Sequence, residues 1–333
     1  MTEIRSISGP EHTAILATGS YRPRRVVPNS EVIGPIDSSD EWIQQRSGIK
    51  ERRWASPDET VQMMSVAAAR AAFERCDVSP DQIDMVIVAT VSHMLQTPAV
   101  ATLIATELGL DRPAAFDISA ACAGFCHGLA LASNAVRAGS ARNALVIGLE
   151  RLSDITRRDD RGTAFIFADG AGAAIVGSSD ETGIGPVIWG SDGERFDFIR
   201  QRENWLTVLE SGHPEIPHLE MQGNAVFRWA VYEMAKVAQS ALDAAGVRAD
   251  QLDIFVPHQA NMRITDAMAR SMELPENVKI ARDIAWQGNT SAASIPLALD
   301  RMLEEGEAKS GDLALFIAFG AGLAYAAQVV RIP

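Results

Sequence analysis

The feature that most restricts the fold is that the chain repeats itself. Ala71 to Val88 (AAFERCDVSPDQIDMVIV) matches Ser240 to Pro257 (SALDAAGVRADQLDIFVP), so that Asp81-Gln82-Ile83-Asp84 falls on Asp250-Gln251-Leu252-Asp253 at an offset of 169. Ser140 to Leu149 (SARNALVIGL) falls on Ser310 to Phe319 (SGDLALFIAF) at an offset of 170. Two matches at a nearly constant offset indicate two copies of one unit of about 170 residues. Each copy reads in the same order. An amphipathic helix (Thr60 to Cys76; Asn224 to Ala245) precedes a buried strand (Met85 to Thr90; Ile254 to Pro257). A helix, a strand, a second apolar helix and another buried strand (Asn143 to Gly148; Asp312 to Ala318) follow. This is an α/β pattern. Two such units side by side predict five stacked layers, α/β/α/β/α, with halves at residues 1–180 and 181–333 and a site at the seam between them.

The chemistry centres on Cys122, in Asp117-Ile118-Ser119-Ala120-Ala121-Cys122-Ala123-Gly124-Phe125. A short strand (Ala114 to Ile118) runs into small residues, and an apolar helix begins at the cysteine. A thiol exposed at a helix N-terminus is favoured as thiolate by unpaired N–H groups and the helix dipole. Alone, Cys122 reads equally as a small buried hydrophobe. Two later segments add partners: Pro257-His258-Gln259-Ala260-Asn261 and Gly288-Asn289-Thr290-Ser291-Ala292-Ala293-Ser294. Alone, His258 reads as structural and Asn289 as a cap or turn residue. Together, a cysteine, a histidine and an asparagine at element ends are the cast of an acyl-transfer site.

Composition narrows the alternatives. A net charge of −13 argues against nucleic acid as the main partner. Met1 to Pro10 lacks a signal-peptide core, and the uncharged stretch Ile118 to Val136 reads as a helix buried in protein, so no membrane association is expected. Cys76, Cys122 and Cys126 form no framework, which predicts a reducing, cytoplasmic setting; Cys126 is assigned to packing, and no metal site is expected. Neither a Walker loop nor a dinucleotide fingerprint is present, and Asp169-Gly170-Ala171-Gly172-Ala173-Ala174 reads as a tight turn leading into a strand.

Seven segments in order resemble the β-ketoacyl-acyl carrier protein synthase III family of the thiolase fold. They are SSDEWIQQRSGIKERR (Ser38 to Arg53), DISAACAGF (Asp117 to Phe125), FADGAGAAIV (Phe167 to Val176), MQGNAVFRWAV (Met221 to Val231), PHQANMRI (Pro257 to Ile264), GNTSAAS (Gly288 to Ser294) and FGAGLAYAA (Phe319 to Ala327). The resemblance implies that an acyl-CoA primer acylates Cys122. Malonyl-acyl carrier protein then loses carbon dioxide, and its carbanion attacks the thioester. His258 and Asn289 would donate hydrogen bonds to the enolate, and the backbone N–H groups of Cys122 and Ala321 would form the oxyanion hole. Many relatives carry glycine where Ala321 stands, so a methyl there narrows the site if φ is positive.

By the same resemblance Trp42, Arg46 and Arg161 contact the CoA nucleotide, while Asn224 and Asn261 line the pantetheine tunnel. Arg228 and Arg263 lie near the tunnel mouth and attract the acidic carrier protein. Thr97 stands where acetyl-selective relatives carry phenylalanine that reaches across a homodimer interface to limit the partner's acyl pocket. A threonine there implies primers beyond acetyl, short linear or branched, for fatty acid or polyketide chains. No cofactor is implied, since acyl-CoA is a substrate. The competing readings are a thiolase, which needs a second late cysteine that this chain lacks, and an acyltransferase that moves the primer without condensation. A non-enzymatic acyl-CoA-binding protein would have no need of the nucleophile.

Overall fold

The computed structural model describes residues 4–212 and 215–333. Its first sheet comprises β1 (His12–Tyr21), β2 (Ile83–Ala89), β3 (Ala114–Ile118), β4 (Asn143–Arg151) and β5 (Asp169–Ser179), in the order β1-β5-β4-β2-β3. The second comprises β6 (Ile188–Ser191), β7 (Ile254–Pro257), β8 (Lys279–Ile280), β9 (Leu313–Gly320) and β10 (Ala324–Arg331), in the order β6-β10-β9-β7-β8. The two orders are the same once the second copy is laid on the first. The directions agree as well: β2 runs parallel to β3 and β4, and β7 runs parallel to β8 and β9. The remaining pairs are antiparallel.

Helices fill the layers between and outside the sheets. One outer layer packs α2 (Val61–Phe73) and α3 (Val100–Glu107) on the first sheet through Met64, Ala68, Ile104, Val86 and Ile175. The other packs α5 (Gly223–Ala245) and α6 (Met262–Ser271) on the second through Met234, Met268, Phe255 and Leu315. The central layer holds α4 (Gly124–Arg137) and α7 (Ser294–Glu304), whose Phe125, Leu129, Ile295 and Leu299 share one core with residues of both sheets. Apolar burial on both faces explains why α4 reads as almost uncharged. This is the duplicated five-layer α/β/α/β/α architecture. Cys126 is fully buried in the central core.

The glycine-rich segment departs from expectation. Asp169 to Ala174 is strand throughout, not a turn. A Cβ at Gly172 would lie 2.6 Å from the Pro296 side chain, and one at Gly170 would lie 2.9 Å from Leu297 Cδ1. These glycines let α7 approach the sheet closely, a role that local sequence does not reveal.

Candidate active site

Each copy turns from strand to central helix through a short 3₁₀ turn, Ala121–Ala123 in the first and Ser291–Ala293 in the second. The turns match at the offset of the repeat even in strain: Ala121 has φ +45° and Ser291 φ +48°. Non-glycine residues in the left-handed region are uncommon and cluster at functional sites. Cys122 sits in the first turn, two residues before the helix proper. The loop after β9 closes on it. A Cβ at Gly320 would lie 2.5 Å from the Cys122 backbone nitrogen, so only glycine permits this approach. Among the described residues, neither the Cys122 nor the Ala321 N–H donates to a backbone carbonyl outside its own turn, and the Cys122 N–H lies against its own thiol. Ala321 does not have a positive φ, so its methyl is accommodated without backbone strain; the left-handed position in the loop is Gly322, at φ +129°.

The thiol itself differs from expectation. Cys122 is only 9% exposed, and burial pushes its pKa up to about 12. The Ser291 hydroxyl acts against that shift and the Glu150 carboxylate adds to it. Desolvation therefore outweighs the helix terminus, and the resting residue is a thiol.

His258 follows β7 and is 3% exposed. Its backbone N–H donates to the Ile317 carbonyl at 2.7 Å, and its Nδ1 lies 2.7 Å from Ser294 Oγ at the start of α7. Ser294 Oγ also accepts the Gln259 N–H at 3.3 Å and has no other acceptor among the described residues. Its single proton is thus assigned to His258 Nδ1, which leaves the ring hydrogen on Nε2. Burial lowers the His258 pKa to about 3, so the ring is neutral at physiological pH and Nε2–H is a hydrogen-bond donor. Phe319 meets the ring edge-on at 5.7 Å between centroids.

Asn289, 5% exposed, is fixed from three sides. Its N–H donates to the Ile166 carbonyl at 2.9 Å and its carbonyl accepts the Ala168 N–H at 2.9 Å. Its Oδ1 accepts the Ser291 N–H at 2.8 Å, which orients the amide so that Nδ2 is the free end. Gly288 precedes it at φ +74°, where a Cβ would also strike Arg52 Cβ at 2.8 Å. Fully buried Arg52 holds that region by donating to the Val27 carbonyl, Asn29 Oδ1 and the Phe165 carbonyl at 2.6–3.0 Å. Sequence reasoning missed Ser294 and Phe319 as supports, although both stand in the quoted segments, because their partners come from other elements.

Cys122, His258, Asn289 and Phe319 line one cavity of about 410 Å³, which also takes in Trp42, Arg46, Arg161, Asn224, Asn261 and Arg263. At its rim the Trp42 ring on α1 (Asp40–Ser47) carries the Arg161 guanidinium at 5.0 Å and that of Arg46 at 5.6 Å. Arg263 lies 4.9 Å from the Phe227 ring. Asn261 lines the cavity with its amide already engaged: Oδ1 caps α6 through the Arg263 N–H, and Nδ2 donates to the Arg46 carbonyl, both at 2.9 Å. It ties the rim together. Two expected residues lie elsewhere. Arg228 is exposed in a separate depression beside Trp229 and Tyr232, one residue around α5 from Phe227, which faces the cavity. Thr97 is exposed on the loop between β2 and α3. Asp117 of edge strand β3 accepts the Val100 and Ala101 N–H groups, which fixes that loop at the sheet edge.

A second cavity, of about 270 Å³, also reaches Cys122, lined by Val91, Leu152, Ile155 and Leu219, with Ser291 and Arg200 among its polar members. The nucleophile candidate therefore lines both a channel with a cationic rim and a smaller chamber with a mostly apolar lining.

A duplicated fold of this topology, with Cys, His and Asn on the floor of one seam cavity, defines a thiolase-fold ketosynthase. Models of 3-oxoacyl-[acyl-carrier-protein] synthase III match residues 116–193, and models of its C-terminal part match residues 242–332. The β-ketoacyl-[acyl-carrier-protein] synthase III of Streptomyces glaucescens is 56% identical over 333 residues, covering 100% of both chains. A mycobacterial β-ketoacyl-[acyl-carrier-protein] synthase III from Mycobacterium marinum is 52% identical over 100% of this chain and 99% of its own. Among solved structures, the priming β-ketosynthase of the R1128 polyketide pathway superposes with a TM-score of 0.97 at 46% identity, covering 100% of this chain and 99% of its own. The chain belongs to the β-ketoacyl-acyl carrier protein synthase III family and is an acyltransferase of that class.

Proposed function

We propose that the two cavities are the two arms of a decarboxylative Claisen condensation, with Cys122 as the nucleophile between them. An acyl-CoA enters the channel, its adenine against Trp42, Arg46 and Arg161, its phosphates drawn to the cationic rim. Cys122 attacks the thioester, the acyl group turns into the apolar chamber, and CoA leaves. Malonyl-acyl carrier protein then takes the channel. Loss of carbon dioxide leaves an enolate, which the neutral His258 Nε2–H and the Asn289 Nδ2 stabilise without an external base. The carbanion attacks the acyl-cysteine, and the oxyanion meets the backbone N–H groups of Cys122 and Ala321. Each such donor contributes roughly 3–4 kcal/mol. The product is β-ketoacyl-acyl carrier protein, the first intermediate of a fatty acid or polyketide chain.

The observation that carries this reading is the fixed orientation of two neutral donors, His258 through Ser294 and Asn289 through Ser291, beside a cysteine. A protease-type histidine would need a free lone pair towards the thiol, and a mere acyl carrier would need no enolate donors. Labelled acyl-CoA followed by malonyl-acyl carrier protein tests it. Condensation yields carbon dioxide and a β-ketoacyl product; acylated Cys122 with no carbon dioxide release supports the priming acyltransferase alternative.

Primers longer than acetyl are favoured by the size of the chamber, about nine times the ~30 Å³ of one water. A homodimer completes the site. The edge strand β3 exposes Phe116, and Met94 and Leu95 are exposed on the Thr97 loop. An unpaired apolar edge of this kind seeks a partner strand, and a second copy would cover it and bring Thr97 to the neighbouring chamber. Arg263 and Arg228 offer cations to an acidic carrier protein. Among the described residues no helix is long and apolar enough to cross a membrane, and three unpaired cysteines fit a cytoplasmic enzyme.

A further inference from the structure

Burial makes Cys122 a thiol, so acylation must dispose of a proton, and His258 is not placed to take it. The only lone pair of its neutral ring, on Nδ1, faces Ser294. Five acidic side chains are buried among the described residues: Glu59, Glu150, Asp169, Asp283 and Asp300. Glu59, Asp283 and Asp300 face arginines. Asp169 receives a backbone N–H on each oxygen, from Ser153 and Ala55. Glu150 has no cation, and its Oε1 has no hydrogen-bond partner. Such a carboxylate is costly to keep unless it has work to do.

Its position suggests the work. In the internal repeat Glu150 is the counterpart of Gly320, the residue whose loop touches Cys122, and it approaches the matching turn of the other copy. Side chains alternate along β4. A Cβ at Gly148 would lie 2.2 Å from the Ala292 carbonyl oxygen, so Gly148 and Glu150 face the Ser291–Ala293 turn. Glu150 Oε2 is fixed by the Ser92 hydroxyl at 2.6 Å and the Val91 N–H at 3.2 Å, with the Thr90 hydroxyl at 3.5 Å. Oε1 is left free. The Ser291 hydroxyl acts on both the Glu150 carboxyl and the Cys122 thiol, yet forms a well-aligned hydrogen bond with neither. Ser291 lines the second cavity together with Cys122, and its turn meets the face of β4 that carries Glu150.

We propose that Glu150, acting through the Ser291 hydroxyl, accepts the Cys122 proton during acylation and returns it at the end of the cycle. This rests on Cys122 being the nucleophile. As Sγ bonds to the acyl carbon, the S–H bond breaks. Ser291 takes that proton and passes its own to Glu150 Oε1, and the CoA thiolate leaves to be protonated by water. In condensation the carbanion displaces Sγ from the acyl group. The cysteine thiolate then recovers its proton from Glu150 by the reverse path, so one solvent proton is consumed per turnover.

Burial raises the Glu150 pKa to about 7, so the accepting form is present above neutrality. Few other charges face it. Cys122 approaches from its turn, β5 presents Gly170 opposite, and no titratable side chain lies in the Thr90–Ser92 segment. Arg151 points to the other face of β4, towards Asp154 and the Glu59 carbonyl, and Asp169 lies opposite it. His93, next along the loop from Ser92, is half-buried.

The test is single-turnover acylation of Cys122 by acyl-CoA, followed by intact and peptide mass across pH 5.5–9. Wild-type acylation should rise with pH and level off above about 7. Glu150→Gln keeps the acceptor for Ser92 but should be acylated at least about tenfold more slowly at pH 7, with its rise moved towards the ionisation of the thiol. Glu150→Asp should keep the limb and recover part of the rate. Ser291→Ala, which leaves the Ser92 and Val91 contacts intact, should reproduce the Gln profile even if the Gln variant folds poorly. An unchanged rate and pH profile in both variants, with Cys122 as the modified residue, overturns the relay alone. Acylation at another residue in the wild type overturns the nucleophile assignment and the relay with it.

Discussion

Replacing Ser294 with alanine should separate the two half-reactions. The 2.7 Å bond to His258 Nδ1 is what keeps the ring hydrogen on Nε2. Without the hydroxyl, a buried Nδ1 loses its partner at a cost of about 1–3 kcal/mol. The Gln259 N–H loses its weaker 3.3 Å contact too. The ring is then free to carry its hydrogen on Nδ1, which turns the Nε2 lone pair towards the enolate and replaces attraction with repulsion. Deleting one donor of this kind outright costs about 10²–10³ in rate. Because both tautomers remain accessible in the variant, the expected loss is smaller, about 10–100-fold. It falls on decarboxylation alone, since Cys122 acylation does not use that donor. Carbon dioxide release from malonyl-acyl carrier protein reads one step, and single-turnover acylation by acyl-CoA reads the other. Decarboxylation within twofold of wild type, or an equal fall in both steps, would refute the tautomer argument.

Further expectations follow from the same geometry. Gly320→Ala places a Cβ 2.5 Å from the Cys122 nitrogen, a backbone atom that cannot step aside, so kcat/KM should fall by about 10² with a lowered melting temperature; wild-type kinetics would show that the loop is slack. Thr97→Phe should depress kcat/KM for branched or longer acyl-CoAs about tenfold or more relative to acetyl-CoA in a primer panel, and equal losses for all primers would remove Thr97 from selectivity. Acid stability carries a definite sign. His258 has its pKa lowered to about 3 in the fold, so below the unfolded value of ~6.5 only the unfolded chain takes the proton, and this group costs about 2 kcal/mol of stability between pH 7 and pH 5. Glu150 is raised to about 7 and is protonated first in the folded chain, which restores a similar amount over the same window. The wild-type unfolding curve should therefore change little from these two groups, while His258→Asn should gain about 2 kcal/mol relative to wild type on going from pH 7 to pH 5 in urea titrations; a constant difference would mean that the imidazole is not buried neutral.

Much of the architecture is legible in the sequence because it is written twice. The repeat places β2 on β7 and β4 on β9, and short apolar runs spaced by helices leave little choice of layers. The strand Ala114–Ile118 and the long helix up to Ala245 come out with nearly the bounds that the pattern predicts. The candidate trio is legible for a related reason: each member sits where an apolar element ends, and such ends gather at a seam. The glycines of β5 are not legible, since a glycine that opens a turn and one that admits a helix look alike until the helix is in place.

Residue order determined the two copies, the layers and the choice of Cys122, His258 and Asn289 as candidates, for those depend on periodicity and on motifs along the chain. Three-dimensional packing alone decided the ionisation of the thiol, the hydrogen on Nε2 and the lone oxygen of Glu150. Each of those is an electrostatic property set by neighbours more than thirty residues away, or by how completely water is excluded, and neither quantity exists until the halves close on one another.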